Sequence, residues 1–283
     1  MKVPALSRAT VDRDAATRDD PAALDALWEA AKVLVVDAGQ ALLDGLDLHL
    51  LDSAEAPEGD RFYLGLLDGQ AYFAVPAVLP RKLGTQVKGL RDVGAVLSDR
   101  DAGLMAHAVG LANWHAAHPR CPRCGSATTS VRGGAVRRCG QDGSEHFPRT
   151  DPAVIMLVTD GADRCVLGRQ AIWPAGRYST LAGFVEPGES AEMAVVREVL
   201  EETGVAVRDV DYRGSQPWPF PASLMLGYTA VCDADADPVP ADGELEDARW
   251  FTRDELRDGD AVLPPPVSIA HRLISEWLDD PDG

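Results

Sequence analysis

The 283-residue sequence predicts an α/β protein in which two domains flank a small cysteine-bearing module. Apolar runs of strand length alternate with helical patterns in residues 1–118 and again in residues 150–283. Residues 119–149 instead contain closely spaced cysteines and glycines. At this length each of the two larger domains can bury a core of its own.

Composition narrows the function classes. The net charge of −18, from 45 acidic and 27 basic residues, argues against broad, nonspecific binding of nucleic acid. No apolar run approaches a membrane span, and the amino terminus lacks a signal peptide, so we expect a cytoplasmic protein without membrane contact. The first 20 residues are expected to be frayed. Five cysteines without a secretion signal favour thiols or metal ligands over disulfides.

The amino-terminal domain has elements but no chemical motif. Residues 21–31 read as a helix, and Ser98 can cap a second helix whose third residue is Asp101. Pro76 is expected to place its strand at an edge or a bulge. Strands are predicted at 32–39, 61–67 and 71–79, the last two joined by a hairpin at Asp68 and Gly69.

The module at 119–149 carries a candidate metal site. Cys121 and Cys124 form a knuckle that suits zinc, and Cys139 follows a glycine-rich hairpin. A second knuckle would need a cysteine at 142, where the chain has Asp142; His146 is another candidate fourth ligand. The pattern predicts structural zinc, with a metal-free ribbon as the alternative.

Six arginines give the same module a basic character on an acidic protein. We interpret them as solvated charges or as partners for acids of the neighbouring domain; a phosphate or RNA contact is the alternative. They are Arg120, Arg123, Arg132, Arg137, Arg138 and Arg149.

The carboxy-terminal domain is predicted to be a mixed sheet with helices on both sides. Asp160 and Gly161 signal a hairpin between its first two strands, and residues 268–278 read as a closing helix. The predicted strands cover 153–158, 164–170, 205–212, 223–233 and 248–251.

A helix over 191–203 carries the densest group of acids. Ser190 can cap its start, and Gly204 can end it. Glu198, Glu201 and Glu202 then share one face, whereas Met193, Val196 and Leu200 are expected to pack into the core. Clustered carboxylates beside open space suit Mg²⁺ or Mn²⁺ and phosphate chemistry. A solvated acidic face is the alternative.

A proline-rich segment from Ser215 to Ser223 is the second candidate site. Its prolines restrict the chain, and Trp218 and Phe220 offer flat faces to a nicotinamide or adenine ring. Gln216 and Ser223 can bind the polar edges of such a ring. Ordinary scaffolding is the alternative.

Two motifs resemble a known family. Gly183, Glu189, Arg197, Glu198, Glu201, Glu202 and Gly204 have the spacing of the Nudix box, and the SQPWPFPxS segment after it is similar to the signature of the NADH pyrophosphatase family. The resemblance covers nearly the whole chain. It implies a Nudix α/β/α sandwich, an amino-terminal α/β domain, a zinc-ribbon-like module, and hydrolysis of NAD(H) to nicotinamide mononucleotide and AMP.

The resemblance also implies site residues. Metal ligands would be the Ala182 carbonyl, Glu198, Glu202 and Glu244. Zinc would be held by Cys121, Cys124, Cys139 and Asp142, although the family has a fourth cysteine. Family members are homodimers. Substrate contacts would fall on Phe147 (usually tyrosine in the family), Phe184 and Ala270, and on Gln216, Pro217, Trp218, Pro219, Phe220, Pro221, Ala222 and Ser223.

The ligand set implies a mechanism. Divalent ions would offset the diphosphate charge and activate a water, with Glu201 or Glu202 as the base. Arg197 and Glu189 are expected to form an ion pair that fixes the loop against the helix. NADH or NAD⁺ is the expected substrate, and removal of NAD caps from RNA is a related activity. Hydrolysis of another nucleoside diphosphate such as ADP-ribose, or a noncatalytic nucleotide sensor, are the alternatives.

Overall fold

The computed structural model describes residues 3–241 and 243–280, which form two compact units. The amino-terminal unit contains Leu6–Thr150 together with Pro217–Ala222. The carboxy-terminal unit contains Asp151–Gln216 and the chain from Ser223 onward, together with the residues before Leu6. The proline-rich segment is therefore assigned to a different unit from the strands on either side of it.

The amino-terminal unit contains three small sheets and three α-helices among its described residues. Four short 3₁₀ helices, the first of them at its junction with the preceding residues, span Ala5–Ser7, Ala15–Asp19, Ser53–Glu55 and Arg132–Gly134. Its strands and helices are α1 Pro21–Trp28, β1 Lys32–Val36, β2 Gln40–Asp44, β3 Asp47–Leu48, β4 Leu51–Asp52, β5 Phe62–Leu67, β6 Gln70–Pro76, β7 Gln86–Gly89, α2 Leu90–Val93, α3 Asp99–Ala117, β8 Thr128–Val131, β9 Val136–Cys139 and β10 Glu145–His146.

The main sheet of this unit has the strand order β4-β1-β6-β5, with β1 and β6 parallel. Asp68 and Gly69 both have positive φ, which confirms the predicted hairpin turn between β5 and β6. The expectation for Pro76 was wrong. Its strand lies between β1 and β5, and the proline is tolerated because it is the last residue of β6.

The predicted fraying of the first 20 residues was also wrong for the part that the structure describes. Met1 and Lys2 lie outside the described residues. Leu6 is 2% exposed, and Arg8 donates hydrogen bonds to the carbonyls of Gly94 and Leu97 at 3.0 and 3.1 Å. Because these carbonyls precede helix α3, Arg8 fastens the beginning of the chain to the turn before that helix.

The carboxy-terminal unit is built on one six-stranded mixed sheet. The order is β14-β15-β11-β12-β16, and β13 pairs with another part of β11. Its elements are β11 Asp151–Thr159, β12 Arg164–Arg169, β13 Leu181–Phe184, α4 Ala191–Thr203, β14 Val207–Trp218, β15 Ser223–Cys232, β16 Asp247–Thr252, α5 Arg253–Asp258 and α6 Ile269–Asp279.

Alternate residues of β11 face two different helices. Val154 and Met156 belong to a cluster that contains Val195 and Val199 of α4. Ile155 and Leu157 belong to a second cluster, with Leu273 and Ile274 of α6. Since successive strand residues point to opposite faces, the sheet is covered on both sides and the predicted α/β/α sandwich is confirmed.

None of the helices in residues 3–241 and 243–280 combines the length and the apolar character that crossing a membrane requires.

Candidate active site

Helix α4 begins and ends where local signals predict. The hydroxyl of Ser190 accepts a hydrogen bond from the Met193 amide at 3.2 Å, and Gly204 takes the left-handed conformation with φ 71°. A glycine meets that conformation without the cost that a Cβ would bring. The acids of α4 are therefore held in a fixed register.

The face that α4 buries differs from the prediction. Met193 and Leu200 are 58% and 50% exposed, whereas Val195 and Val199 are at most 1% exposed. Glu202 lies on the buried side too and is 3% exposed. The acids therefore flank the apolar face of the helix, rather than lying opposite it as the sequence suggested.

Glu198 lies against the backbone of β13. A Cβ added at Gly183 would come closer than 3.0 Å to the Glu198 carboxyl, a separation that real Cβ atoms essentially never show. The glycine of the motif is therefore required for space at this position. It places the Glu198 carboxyl group against the residue that follows Ala182 in the chain.

Arg197 uses all five of its N–H groups on this loop and helix. Nε and Nη2 bind the two carboxylate oxygens of Glu189 at 2.9 Å each, which is the predicted ion pair. Nη1 donates to Glu198 and to Glu201, both at 2.9 Å, and Nη2 also donates to the Phe184 carbonyl at 2.9 Å. Arg197 therefore offsets part of the repulsion between Glu198 and Glu201, in addition to any metal ion bound there.

The electrostatics divide these acids into two kinds. Hydrogen bonds from Arg197, and then from the Glu186 amide, lower the pKa of Glu189 to about 2. The pKa of Glu198 is instead raised, first by burial and then by the charges of Glu201 and Glu244, against the opposing effect of Arg197. Glu189 is thus an anion at neutral pH, paired with Arg197, whereas Glu198 stands in a field that favours an added positive charge.

The donor set fits a hard divalent cation. Carboxylates and a backbone carbonyl are the oxygen ligands that Mg²⁺ and Mn²⁺ prefer, and Mg²⁺ often uses only one or two carboxylates and keeps several waters. Glu198 and buried Glu202 are one turn apart on α4, and exposed Glu244 lies near enough to influence Glu198.

Other predicted substrate residues of the carboxy-terminal unit differ in exposure. Phe184 is 59% exposed and offers a free ring face. Ala270 is 3% exposed, within the core around α6. Gln216 is fully buried, and its side-chain amide donates to the Val267 carbonyl at 2.7 Å. In this structure Gln216 holds the start of α6, and its role toward a substrate stays a prediction.

The segment Pro217–Ala222 packs within the amino-terminal unit. The rings of Trp218 and Phe220 meet edge to face at 4.9 Å. The guanidinium of Arg91 lies 4.3 Å from the Phe220 ring centre, and the amide of Asn113 donates to the carbonyls of Pro219 and Pro221. Sequence reasoning missed both partners, because nothing local to Arg91 or Asn113 points to a segment more than 100 residues away. Phe147 of the same unit is 63% exposed.

Cys121, Cys124 and Cys139 form a compact donor cluster with Asp142. One donor atom from each of the four residues lies within 4.8 Å of all the others, and the Cys124 and Cys139 sulfurs are 3.5 Å apart. Tetrahedral zinc with Zn–S bonds of about 2.3 Å needs ligand separations of about 3.8 Å. The residues therefore fit the ion. His146 is not one of the four donors within 4.8 Å of one another; its Nε2 lies 3.1 Å from the Ser144 hydroxyl, and the ring also interacts with the Cys121 thiol.

Two similar turns present these donors. Backbone amides of Arg123 and Gln141 donate to the Cys121 and Cys139 sulfurs, each at 3.4 Å. Ser144 donates to Asp142 from its amide and its hydroxyl, at 2.9 and 2.6 Å, and these bonds lower the pKa of Asp142. The second turn therefore supplies a charged carboxylate where the first supplies a thiol.

The arginines of the module are largely occupied within their own unit. Arg137 is 8% exposed and donates to His115 Nδ1 at 2.7 Å and to the Thr128 carbonyl at 2.8 Å. Arg138 pairs with Glu145 and Arg132 with Asp19, each at 2.7 Å. Arg132 thus pairs with an acid of the neighbouring amino-terminal domain, as expected, and Arg138 pairs within the module, so both guanidinium groups are less available to RNA.

Three protein families match consecutive parts of the chain. Residues 21–114 match the NADH pyrophosphatase-like rudimentary NUDIX domain, and residues 116–147 match the NADH pyrophosphatase zinc ribbon domain. Residues 149–278 match the NUDIX domain. The order agrees with the two predicted domains and the module between them.

Curated relatives match over nearly the full length. The NAD-capped RNA hydrolases NudC of Mycobacterium bovis and Mycobacterium tuberculosis are each 41% identical over 97% of this chain and 95% of their own. The NAD-capped RNA hydrolase NudC of Deinococcus radiodurans is 39% identical over 96% of both chains. With the box geometry described above, these matches show that the chain belongs to the NADH pyrophosphatase family of Nudix hydrolases.

Proposed function

We propose that the protein hydrolyses the pyrophosphate bond of NAD(H) to nicotinamide mononucleotide and AMP. The observation that carries the proposal is the seating of Glu198 on Gly183, between Arg197 and the Ala182 peptide. Burial and the charges of Glu201 and Glu244 raise the pKa of this carboxyl group, so the site favours a bound cation and hence a diphosphate substrate.

The cation site consists of the Ala182 carbonyl, Glu198, Glu202 and Glu244. When bound there, Mg²⁺ or Mn²⁺ would neutralise diphosphate charge and lower the pKa of an attacking water. Glu198 is held by Arg197 and Gly183, and Glu202 by its burial beside the sheet, so both reach the ion already oriented.

Arg197 and Glu189 act as positioning residues. Their paired side chains join the loop before α4 to the helix, and the same guanidinium fixes Glu201 at 2.9 Å. Glu201 or Glu202 accepts the proton of the attacking water. Glu201→Gln and Glu202→Gln separate these roles: loss of the base lowers kcat at saturating metal, whereas loss of a ligand raises the metal concentration that is required.

Recognition of the dinucleotide falls to the aromatic residues. Trp218 and Phe220 of the proline-rich segment, with exposed Phe184 and Phe147, supply the ring faces, and Gln216, Ser223 and Ala270 supply further contacts. If the substrate were ADP-ribose, Trp218→Ala would leave turnover unchanged. For NADH we expect a rise in KM.

Product analysis tests the proposed function. The protein is incubated with NADH and Mg²⁺ or Mn²⁺, and the products are identified beside those of Glu202→Gln. Nicotinamide mononucleotide and AMP from the wild type alone support the proposal. Absence of turnover at every metal concentration contradicts it, and unaltered turnover by Glu202→Gln would contradict the assigned site. Retained nucleotide binding without turnover in the wild type would indicate a sensor.

Removal of NAD caps from RNA is a second candidate, favoured by the names of the curated relatives. The charge of −18 and the pairing of Arg132, Arg137 and Arg138 limit the RNA footprint to the first nucleotides. Turnover of capped RNA that is no faster than turnover of NADH at equal concentration would weaken this role.

We further propose structural zinc at Cys121, Cys124, Cys139 and Asp142, a homodimer, and a cytoplasmic location. The zinc proposal is supported by the 4.8 Å donor cluster and the match to the zinc ribbon domain, and the homodimer by family membership. The domain boundaries after residues 118 and 149 stay predictions. Metal analysis and light scattering on the purified protein test the zinc content and the oligomeric state.

A further inference from the structure

The segment Pro217–Ala222 depends on donors from elsewhere in its unit. Prolines at 217, 219 and 221 have no amide N–H, so the segment can supply few hydrogen bonds of its own. Asn113, near the end of α3, supplies two: its Nδ2 donates to the Pro219 carbonyl at 2.9 Å and to the Pro221 carbonyl at 3.2 Å. One side-chain amide thus bonds to the carbonyls of both residues that flank Phe220.

Arg91 of α2 contacts the aromatic side of the same segment. Its guanidinium lies 4.3 Å from the Phe220 ring centre and 5.6 Å from that of Trp218. Because the two rings meet edge to face, one cation fixes the orientation of both.

The packing around these contacts is close but incomplete. A Cβ at Gly110 would lie 3.7 Å from the Pro219 Cβ, so α3 approaches the segment at van der Waals distance. A cavity of about 320 Å³ remains beside it, lined in part by Gly39, Gln40, Arg91 and Asn113. Since packing alone does not fill this space, the two polar side chains supply contacts that the segment would otherwise lack.

We propose that Asn113 and Arg91 are positioning residues for recognition of the dinucleotide: they hold Trp218 and Phe220 in the orientation that binds a nucleotide ring. The amino-terminal domain, which contains both residues, thereby sets the substrate affinity of the enzyme. This inference rests on the proposed function, because it assigns a role to ring faces that the proposed substrate uses.

Steady-state kinetics with NADH test the inference on the full-length protein. Asn113→Asp keeps the side-chain shape but replaces the donor with a second acceptor that faces two carbonyls. We expect KM to rise about tenfold, the change that the loss of one or two hydrogen bonds produces, while kcat stays within about twofold. Arg91→Lys keeps the charge but loses the planar guanidinium and should raise KM by about threefold.

Controls separate positioning from general damage. Ala116→Ser alters an exposed residue of the same helix and should leave KM and kcat unchanged. The thermal midpoint of each variant shows whether it is folded. Asn113→Gln retains an amide donor, so its KM should rise less than the KM of Asn113→Asp.

A spectroscopic measurement reports the segment directly. The chain has six tryptophans, and the indole N–H signal of Trp218 can be assigned from its loss in Trp218→Phe. We expect Asn113→Asp to shift that signal and to leave those of Trp28, Trp173, Trp250 and Trp277 in place. An unchanged KM together with an unmoved Trp218 signal would overturn the inference. If the wild type does not hydrolyse NADH, the proposed function fails, while the Trp218 signal still tests the positioning.

Discussion

The carboxyl group of Glu198 occupies the space in which a side chain at residue 183 would begin. A Cβ on Gly183 would approach it to less than 3.0 Å. The contact joins strand β13 to helix α4 without an intervening side chain, and Arg197 binds the same carboxylate from the other side. The position of the Glu198 carboxyl group is therefore set by one glycine and one arginine.

Gly183→Ala tests this contact. Glu198 is a flexible side chain, so the variant can fold, but the carboxylate must move by about 1 Å or more. We expect kcat/KM to fall about 100-fold, the cost of a misplacement of that size. The double variant Gly183→Ala/Glu198→Ala should be no worse than Glu198→Ala alone. Additive losses in the two single variants would show that Gly183 acts through something other than Glu198.

The ion pair of Glu189 and Arg197 predicts a pH dependence of stability. The pKa of Glu189 is lowered from its ordinary value of 4.5 to about 2. The folded state binds this proton less readily than the unfolded state, so the contribution is complete above pH 4.5 and is lost as the pH falls toward 2. Urea midpoints of the wild type and Glu189→Gln should differ by a constant amount from pH 7 to pH 5 and converge below. A difference that grew on acidification would contradict this assignment.

The buried face of α4 can be tested with two neighbouring residues. Val199 is 1% exposed and Leu200 is 50% exposed. Val199→Ala should lower the free energy of unfolding by about 2 kcal/mol because it leaves a cavity against β11. Leu200→Ala removes more atoms but should cost less than about 1 kcal/mol. If denaturant melts showed a larger loss of stability for Leu200→Ala than for Val199→Ala, the buried face of α4 would be the one that the sequence suggested.

Local signals explain what the sequence predicted well. The ends of α4 depend on Ser190 and Gly204, and the turn at Asp68 and Gly69 depends on two residues with positive φ. These features are decided by the residues themselves and their nearest neighbours. The motif spacing likewise predicted the ion pair of Arg197 with Glu189, whereas the hydrogen bonds of Arg197 to Glu198 and Glu201 were not predicted.

Contacts distant in sequence explain what was missed. Apolar residues occur at 193, 195, 196, 199 and 200, so periodicity alone does not choose the buried face of α4; contact with β11 does. Asn113 lies 106 residues before Pro219, whose carbonyl it binds. Pro76 was misjudged for the same reason, since the position of β6 in its sheet depends on pairing with β1.

The cysteine cluster predicts how the protein responds to metal removal. We expect about one zinc per chain and a lower thermal midpoint after treatment with a chelator, because the unfolded chain has no preformed site. Asp142→Cys should hold the ion more tightly and resist the chelator at a concentration that strips the wild type, since a thiolate suits zinc better than a carboxylate. Asp142→Ala should lose zinc first. Asp142→Asn keeps an oxygen but not the charge and should lie between the wild type and Asp142→Ala. Equal zinc content in all four proteins would exclude residue 142 as a ligand, and a midpoint that the chelator does not move would support a ribbon held by packing alone.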